Sequence, residues 1–200
     1  MGKLIAKTAA ITFGGIIAAA LILFGIFSLF FPSVMVSLTD KLGMEGACAS
    51  YSVAQYEKSG DIEDLALAVE RSYYAEHFKD AADLGDKLIQ SKDFLNFCNA
   101  KDVQTGASQE LTLGSSAQYY NGLTAAAQYY VKSDRALDTA FGAIGKEFSE
   151  NNAVVFLTSV AMREEDKEFC RMILDRLDSI SASNQEELIK FKEGLRSYCQ

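Results

Sequence analysis

The feature that most constrains this chain is an apolar, uncharged stretch close to its N-terminus. Residues 8–31 read TAAITFGGIIAAALILFGIFSLFF, and no charged residue occurs between Lys7 and Asp40. As a helix rising about 1.5 Å per residue, this stretch extends roughly 36 Å, enough to cross the hydrocarbon core of a bilayer, which is about 30 Å thick. A cleaved secretory signal has a shorter apolar region, of about 7 to 15 residues. The sequence therefore predicts a permanent transmembrane helix over residues 8–31.

The cations that flank this span predict its orientation. Lys3, Lys7 and the α-amino group precede it, whereas Lys41 is the only basic residue close behind it. Basic flanking residues are retained in the cytoplasm. We therefore expect residues 1–7 to be cytoplasmic and everything after the span to be extracytoplasmic.

The remainder of the chain is acidic. Two of the 19 basic residues precede the span, so residues 33–200 carry 17 Lys and Arg against 27 Asp and Glu. A domain with this excess of negative charge is repelled by nucleic-acid phosphate. Anionic lipid headgroups repel it as well, so we expect this domain to bind neither of them. Its expected partners are other proteins or peptide segments.

Composition and periodicity predict an all-α fold. The chain has one proline, and no segment alternates polar with apolar residues as a strand does. We expect a juxtamembrane linker over residues 32–46, then a soluble helical domain over residues 47–200. Its first helix, about residues 47–58, is predicted to end at Gly60, with Asp61 capping the next helix.

Apolar side chains spaced about 3.6 residues apart predict a stack of antiparallel helical hairpins after this first helix. The hairpins are expected over residues 62–89, 115–148 and 152–180, with Phe148 and Met172 among the buried side chains. Residues 93–113 break the pattern, and the part around Gly106 is predicted to be a surface loop. Two capping boxes are predicted at helix starts, Ser115 with Gln118 and Ser183 with Glu186, the second opening a terminal helix.

The hairpins form a weak internal repeat. Apolar residues from Leu137 to Phe148 match those from Phe169 to Ile180 at an offset of 32, and Tyr73-Tyr74 match Tyr129-Tyr130 at an offset of 56. This spacing resembles the tetratricopeptide family, whose helical hairpins repeat about every 34 residues. In the first hairpin, Phe78, Ala81 and Gly85 fall at that family's packing positions in the second helix. The resemblance implies an α-solenoid with a groove for peptide segments of partner proteins, and an insertion to account for the offset of 56.

Three tyrosine pairs are the candidate partner-binding residues. Neighbouring residues in a helix point about 100° apart, so one ring of each pair should pack inward and the other should face a groove or solvent. The alternative is that the rings only fill gaps between helices. The pairs are Tyr73-Tyr74, Tyr119-Tyr120 and Tyr129-Tyr130.

Two further sets of residues are singled out. Ala10, Gly14, Ala18 and Gly25 share one face of the span, where small residues allow close helix contact with a second copy or another membrane protein. Cys170 and Cys199 are predicted at the same end of an antiparallel helix pair, where a disulfide forms if the domain is extracytoplasmic; the alternative is buried free thiols.

No motif in the sequence predicts catalysis or a cofactor. His77 is the only histidine, and no phosphate-binding or nucleophile-elbow motif occurs. The acidic run at residues 164–168 is interpreted as a helix start. We therefore expect no enzyme, no metal and no cofactor.

Three hypotheses for function remain. The first is a membrane-anchored scaffold or adaptor that binds other proteins outside the cytoplasm. The second is an accessory subunit of a membrane complex, recognised through its transmembrane helix. The third, a cell-envelope hydrolase, requires carboxylates that face each other in a cleft.

Overall fold

A computed structural model describes residues 2–105, 115–144, 148, 152–180 and 185–200. These residues form eleven α-helices and no strand, which confirms the all-α prediction. The positions around Gly106 and the Ser183 of the second capping box lie outside the described residues. The helices are α1 (Gly2–Phe30), α2 (Pro32–Lys41), α3 (Glu45–Ser59), α4 (Ile62–Tyr74), α5 (Phe78–Ile89), α6 (Phe94–Thr105), α7 (Ser115–Tyr130), α8 (Ala136–Gly142), α9 (Ala153–Arg163), α10 (Lys167–Asp178) and α11 (Gln185–Cys199).

Helix α1 contains the predicted span. Its segment Thr12–Phe30 is long and apolar enough to cross a membrane, and none of it is buried in the described structure. Phe31 separates α1 from α2, and Pro32 occupies the first turn of α2. Proline fits there because the first turn needs no intrahelical N–H bond. The predicted linker, residues 32–46, is therefore largely helical.

Three of the helical hairpins turn in the same way. A residue with positive φ follows the first helix of each hairpin: Glu76 at 61°, Lys132 at 57° and Glu165 at 56°. In each turn the N–H of the following residue donates to the carbonyl five positions earlier, at 2.8, 2.9 and 2.9 Å respectively. This is the hydrogen bond of a Schellman motif, here with a charged residue where glycine is usual. The turns recur at intervals of 56 and 33 residues.

These turns correct the register of the predicted repeat, because the second interval is 33 rather than 32. At the correct offset, Ala140 aligns with Ile173, and both are fully buried. The prediction that Met172 is buried is wrong, since its side chain is 47% exposed. Helix α8 also ends at Gly142, so Phe148 is buried as predicted but lies outside a helix.

Helix α7 lies at the centre of the domain. It contributes Leu123 to a core shared with α4, α5 and α6, and Ala125 to a second core that includes α9, α10 and α11. Gly85 of α5 approaches Thr124 of α7 so closely that a Cβ at this position would lie 2.3 Å from the threonine hydroxyl. The absence of a side chain at Gly85 therefore sets the distance between α5 and α7.

The predicted caps are only partly right. Asp61 precedes α4 as expected, but its side chain makes no capping hydrogen bond. Gln118 does not cap α7: its amide donates to Ala143 O at 2.6 Å and accepts from Ala153 N at 3.0 Å. It instead joins the end of α8 to the start of α9.

Helix α6, Phe94–Thr105, is the largest departure from the sequence prediction, because residues 93–113 were predicted to break the helical pattern. Its buried residues, Phe94, Cys98 and Asp102, form a stripe only one residue wide. Asp102 accepts a hydrogen bond from Ser116 N at 2.9 Å and another from Ser116 Oγ. This carboxylate from α6 thus caps the N-terminus of α7.

Candidate binding groove

A groove of about 520 Å³ runs between α4 and α6. Helix α6 packs on α7 more than on α4, which leaves the space open along α4. The lining residues of α6 are spaced as one helical face, which adjoins its narrow buried stripe. The lining consists of Ile62, Glu63, Asp64, Ala66, Leu67 and Glu70 from α4, Asp93, Asn96, Phe97, Ala100, Lys101 and Gln104 from α6 and its approach, and Tyr120 from α7.

Three polar side chains meet at the floor of this groove. Tyr120 Oη donates to Glu70 Oε1 at 2.7 Å, and Lys101 Nζ donates to the same hydroxyl. Lys101 Nζ also lies 3.5 Å from Glu70 Oε1 and 5.0 Å from the centre of the Tyr120 ring. The floor thus joins α4, α6 and α7 in one hydrogen-bonded network.

Burial governs the chemistry of Tyr120. Desolvation first, and then its hydrogen bond to the Glu70 carboxylate, raise the pKa of Tyr120 far above its usual value. The hydroxyl therefore remains protonated and acts as a hydrogen-bond donor rather than as a base. This network can position a bound group, but it offers no activated nucleophile.

The groove is acidic. Its lining carries four carboxylates, those of Glu63, Asp64, Glu70 and Asp93, against the single ammonium of Lys101. Asp64 accepts hydrogen bonds from Gln55 Nε2 and Ser59 Oγ, which hold it in place, whereas Glu63 and Asp93 are exposed at the rim. Phe97 provides an aromatic surface between these charges. Such a lining suits a segment that carries basic and apolar side chains.

The tyrosine pairs divide between inside and outside less regularly than predicted. Tyr73 is buried and Tyr74 is 57% exposed, as expected for one inward and one outward ring. In the second pair Tyr120 is buried and Tyr119 is half-buried. In the third pair both Tyr129 and Tyr130 are half-buried. Of the six rings, Tyr120 lines the groove described above, and Tyr74 lines a second groove of about 360 Å³ beside α2 and α3.

Hydrogen bonds hold the hydroxyls of four of the paired tyrosines. Tyr74 and Tyr119 share one at 3.1 Å, and Tyr129 Oη donates to Asp166 Oδ2 at 3.0 Å. Tyr130 Oη donates to Glu164 Oε1 at 2.7 Å, and its ring stacks on Phe78 with centroids 3.9 Å apart. These contacts join neighbouring hairpins, so they favour a packing role for these four rings.

The acidic run at residues 164–168 is divided between these contacts and a helix cap. Asp166 precedes α10 and accepts a hydrogen bond from Phe169 N at 2.9 Å, which confirms the predicted helix start. Within the described residues no group of His, Cys, Asp and Glu side chains is arranged to hold a metal ion.

Cys170 and Cys199 are both buried in the second core. They lie at the same end of α10 and α11, where Arg171 Nη2 donates to Cys199 O at 2.9 Å. Burial, and secondly the neighbouring Cys199, raise the pKa of Cys170 to about 11. Both thiols are free in the structure, and the disulfide stays a prediction for the oxidised chain.

The small residues of the span lie on α1, although the side chain of Ala10 falls outside the described residues. A Cβ added to Gly14 or Gly25 would meet no atom within 4 Å, and Ala18 is exposed. This face is therefore open along the described part of the helix.

Sequence reasoning missed Glu70 and Lys101, which build the floor of the groove. Asn96, Phe97, Ala100, Lys101 and Gln104 are spaced as one helical face, and that spacing was the available signal for α6. No protein-family model, no curated protein and no solved structure matches this chain.

Proposed function

We propose that the chain is a membrane-anchored adaptor whose helical domain binds a protein segment in the groove between α4 and α6. The observation that carries this proposal is an open groove with an excess of carboxylates and an aromatic side chain in its lining. Its volume accommodates a few side chains of an extended or helical peptide. The occupant is a segment of another protein with lysine or arginine residues that pair with Glu63 and Asp93.

The same proposal assigns the domain a tetratricopeptide-like architecture, with α4–α5, α7–α8 and α9–α10 as successive hairpins. The three equivalent turns at Glu76, Lys132 and Glu165 support it. In this arrangement α6 and its flanking residues are the insertion that lengthens the first interval to 56. The groove is then formed by the insertion, and α1 holds the domain at the extracytoplasmic face of the membrane.

Crosslinking from two adjacent positions of α6 tests where the partner binds. Asn96 lines the groove, whereas Leu95 is 51% exposed and points about 100° away from it. A photoreactive residue at 96, in the full chain in native membranes, should give a discrete protein adduct, and the same residue at 95 should not. Adducts of equal yield from both positions would contradict binding in the groove.

A second candidate, the accessory subunit recognised through its span, is favoured by the open small-residue face of α1. Replacing Gly14 and Ala18 by Leu fills that face without touching the groove. If the adduct at position 96 survives these substitutions, the groove recognises the partner. If partner co-purification is lost while the domain remains folded, the span recognises it and the adaptor proposal fails.

A further inference from the structure

Helix α3 lies across the end of the span. Tyr51 Oη is 3.0 Å from Ser28 Oγ, and Lys58 Nζ donates to Phe30 O at 2.6 Å. Positions 51 and 58 are about 10.5 Å apart along α3, whereas positions 28 and 30 are only about 3 Å apart along α1. Helices α1 and α3 do not pack along their lengths, and these two contacts fit an α3 that is inclined to α1.

Helix α2 follows the direction of α3. The two are joined by only three residues, with Gly43 at a φ of 65° and Met44 N donating to Thr39 O at 2.9 Å. A connection this short makes them an antiparallel pair. Because α3 is inclined to the span, its antiparallel partner α2 is inclined as well, and the backbone leaves helical geometry between α1 and α2 at Phe31, where φ is −133° and ψ is 59°.

One face of α2 packs under α3, and another is apolar and exposed. The packed face is made by Pro32, Met35, Val36 and Thr39, all buried. The exposed face is made by Val34, Leu38 and Leu42, which are 49%, 43% and 63% exposed and follow one another at intervals of four.

The exposed stripe continues the lipid-facing surface of the span. Phe27 and Phe31, 45% and 49% exposed, precede Val34 along the chain, so exposed apolar side chains continue from the end of α1 into α2. The predicted span, residues 8–31, ends where α2 starts at Pro32, so α2 follows directly on the apolar stretch that crosses the hydrocarbon core. The bound Nζ of Lys58 places a cation at the same level, as expected at the headgroup boundary.

We infer that α2 is an interfacial helix, with Val34, Leu38 and Leu42 inserted among the acyl chains just below the lipid headgroups. The occupant of this apolar face is lipid, because the face extends the surface that the span already presents to lipid. An interfacial helix of this kind buries its apolar side about 5 to 10 Å into the boundary. The α2–α3 pair then fixes the height of the domain above the membrane. This inference rests on the proposed membrane anchorage of α1.

Tryptophan fluorescence tests whether α2 lies in the lipid interface. The chain contains no tryptophan, so an introduced one is the only source of tryptophan emission. The full chain is reconstituted in phosphatidylcholine vesicles that carry bromine near the ester end of one acyl chain. Leu38→Trp and Leu42→Trp report on α2, Phe24→Trp reports on the span, and Ile189→Trp, at a site 50% exposed on α11, is the matched control.

We expect both α2 variants to lose emission to the brominated lipid by a fraction comparable to the loss from Phe24→Trp. Ile189→Trp should keep its emission in this lipid and be quenched by aqueous iodide. If the α2 variants behave like Ile189→Trp while Phe24→Trp is quenched by lipid, the inference is wrong and the anchor stands. Protection of the α2 variants from both quenchers means that protein covers the stripe, which also overturns the inference. If Phe24→Trp is not quenched either, the anchorage and the inference fail together.

Discussion

Substitution of Gly85 by alanine should destabilise the domain, although alanine is the better helix former. The added Cβ would lie 2.3 Å from Thr124 Oγ1, 2.7 Å from its Cγ2 and 2.9 Å from its Cβ. Thr124 is fully buried, and its hydroxyl donates to Tyr120 O at 2.7 Å, so it has no space to move into. Overpacking of this kind costs about 1 to 3 kcal/mol, whereas the gain in helix propensity is about 0.5 to 1 kcal/mol. The net loss in the free energy of unfolding should be about 1 kcal/mol or somewhat more.

Urea unfolding of the full chain in detergent micelles, followed by circular dichroism, measures this change. Gly194→Ala is the matched control, because Gly194 is an exposed residue of α11 with no atom within 4 Å of its added Cβ. It should raise stability by about 0.5 to 1 kcal/mol. The double variant Gly85→Ala/Thr124→Ala lacks Thr124 Oγ1 and Cγ2, the two atoms nearest the added Cβ. Its loss in the free energy of unfolding should therefore be smaller than the sum of the losses in the two single variants. If Gly85→Ala stabilises as much as Gly194→Ala does, the close packing of α5 on α7 is wrong.

Three further predictions follow from buried groups. Asp102→Ala removes the carboxylate that caps α7 and should lower the free energy of unfolding by about 2 kcal/mol, whereas unchanged urea unfolding would contradict the cap. Burial is the main reason that the pKa of Tyr73 rises from its unfolded value of 10 to about 12, so the free energy of unfolding should fall as the pH rises from 10 to about 12. Tyr73→Phe should flatten that fall in alkaline unfolding curves, and an unchanged slope would contradict the raised pKa of Tyr73. Burial also raises the pKa of Cys98 to about 12. After treatment with an alkylating reagent at pH 8, mass spectrometry should find the Cys98 thiol unmodified in the folded chain and alkylated in urea. Alkylation of Cys98 in the folded chain would refute its burial.

The sequence was sufficient to predict the hairpins but not their register. Gly60 marks the end of α3 because glycine is the usual residue at a left-handed cap. The three hairpin turns carry Glu76, Lys132 and Glu165 at the equivalent position, so no glycine marks where these helices end. Alignment by apolar residues alone, at an offset of 32, then paired Ala140 with Met172 instead of Ile173, one position further on.

The groove was not predictable for a different reason. It exists because α6 packs on α7 through a narrow stripe that ends in a charged residue, Asp102, and such a stripe does not look like the buried face of a helix. The network of Glu70, Lys101 and Tyr120 joins residues up to 50 positions apart, so only the tertiary arrangement brings them together. By contrast, Tyr73-Tyr74 and Tyr129-Tyr130 were visible as a repeated pair in the sequence, and both precede equivalent hairpin turns.

The affinity of the crosslinked partner segment for charge variants of the groove is a direct test of binding between α4 and α6. The segment caught at position 96 is synthesised, and its binding to the full chain in nanodiscs is measured by calorimetry. Asp93→Lys reverses one charge at the groove, and Asp175→Lys makes the same change at an exposed position of α10. Asp93→Lys removes one attraction to a basic side chain of the segment and adds one repulsion. At an exposed rim the two together weaken binding by about 1 kcal/mol, or about fivefold in affinity. We expect this weakening for Asp93→Lys and no change for Asp175→Lys. Equal affinities for the two variants would contradict an acidic groove that binds a basic protein segment.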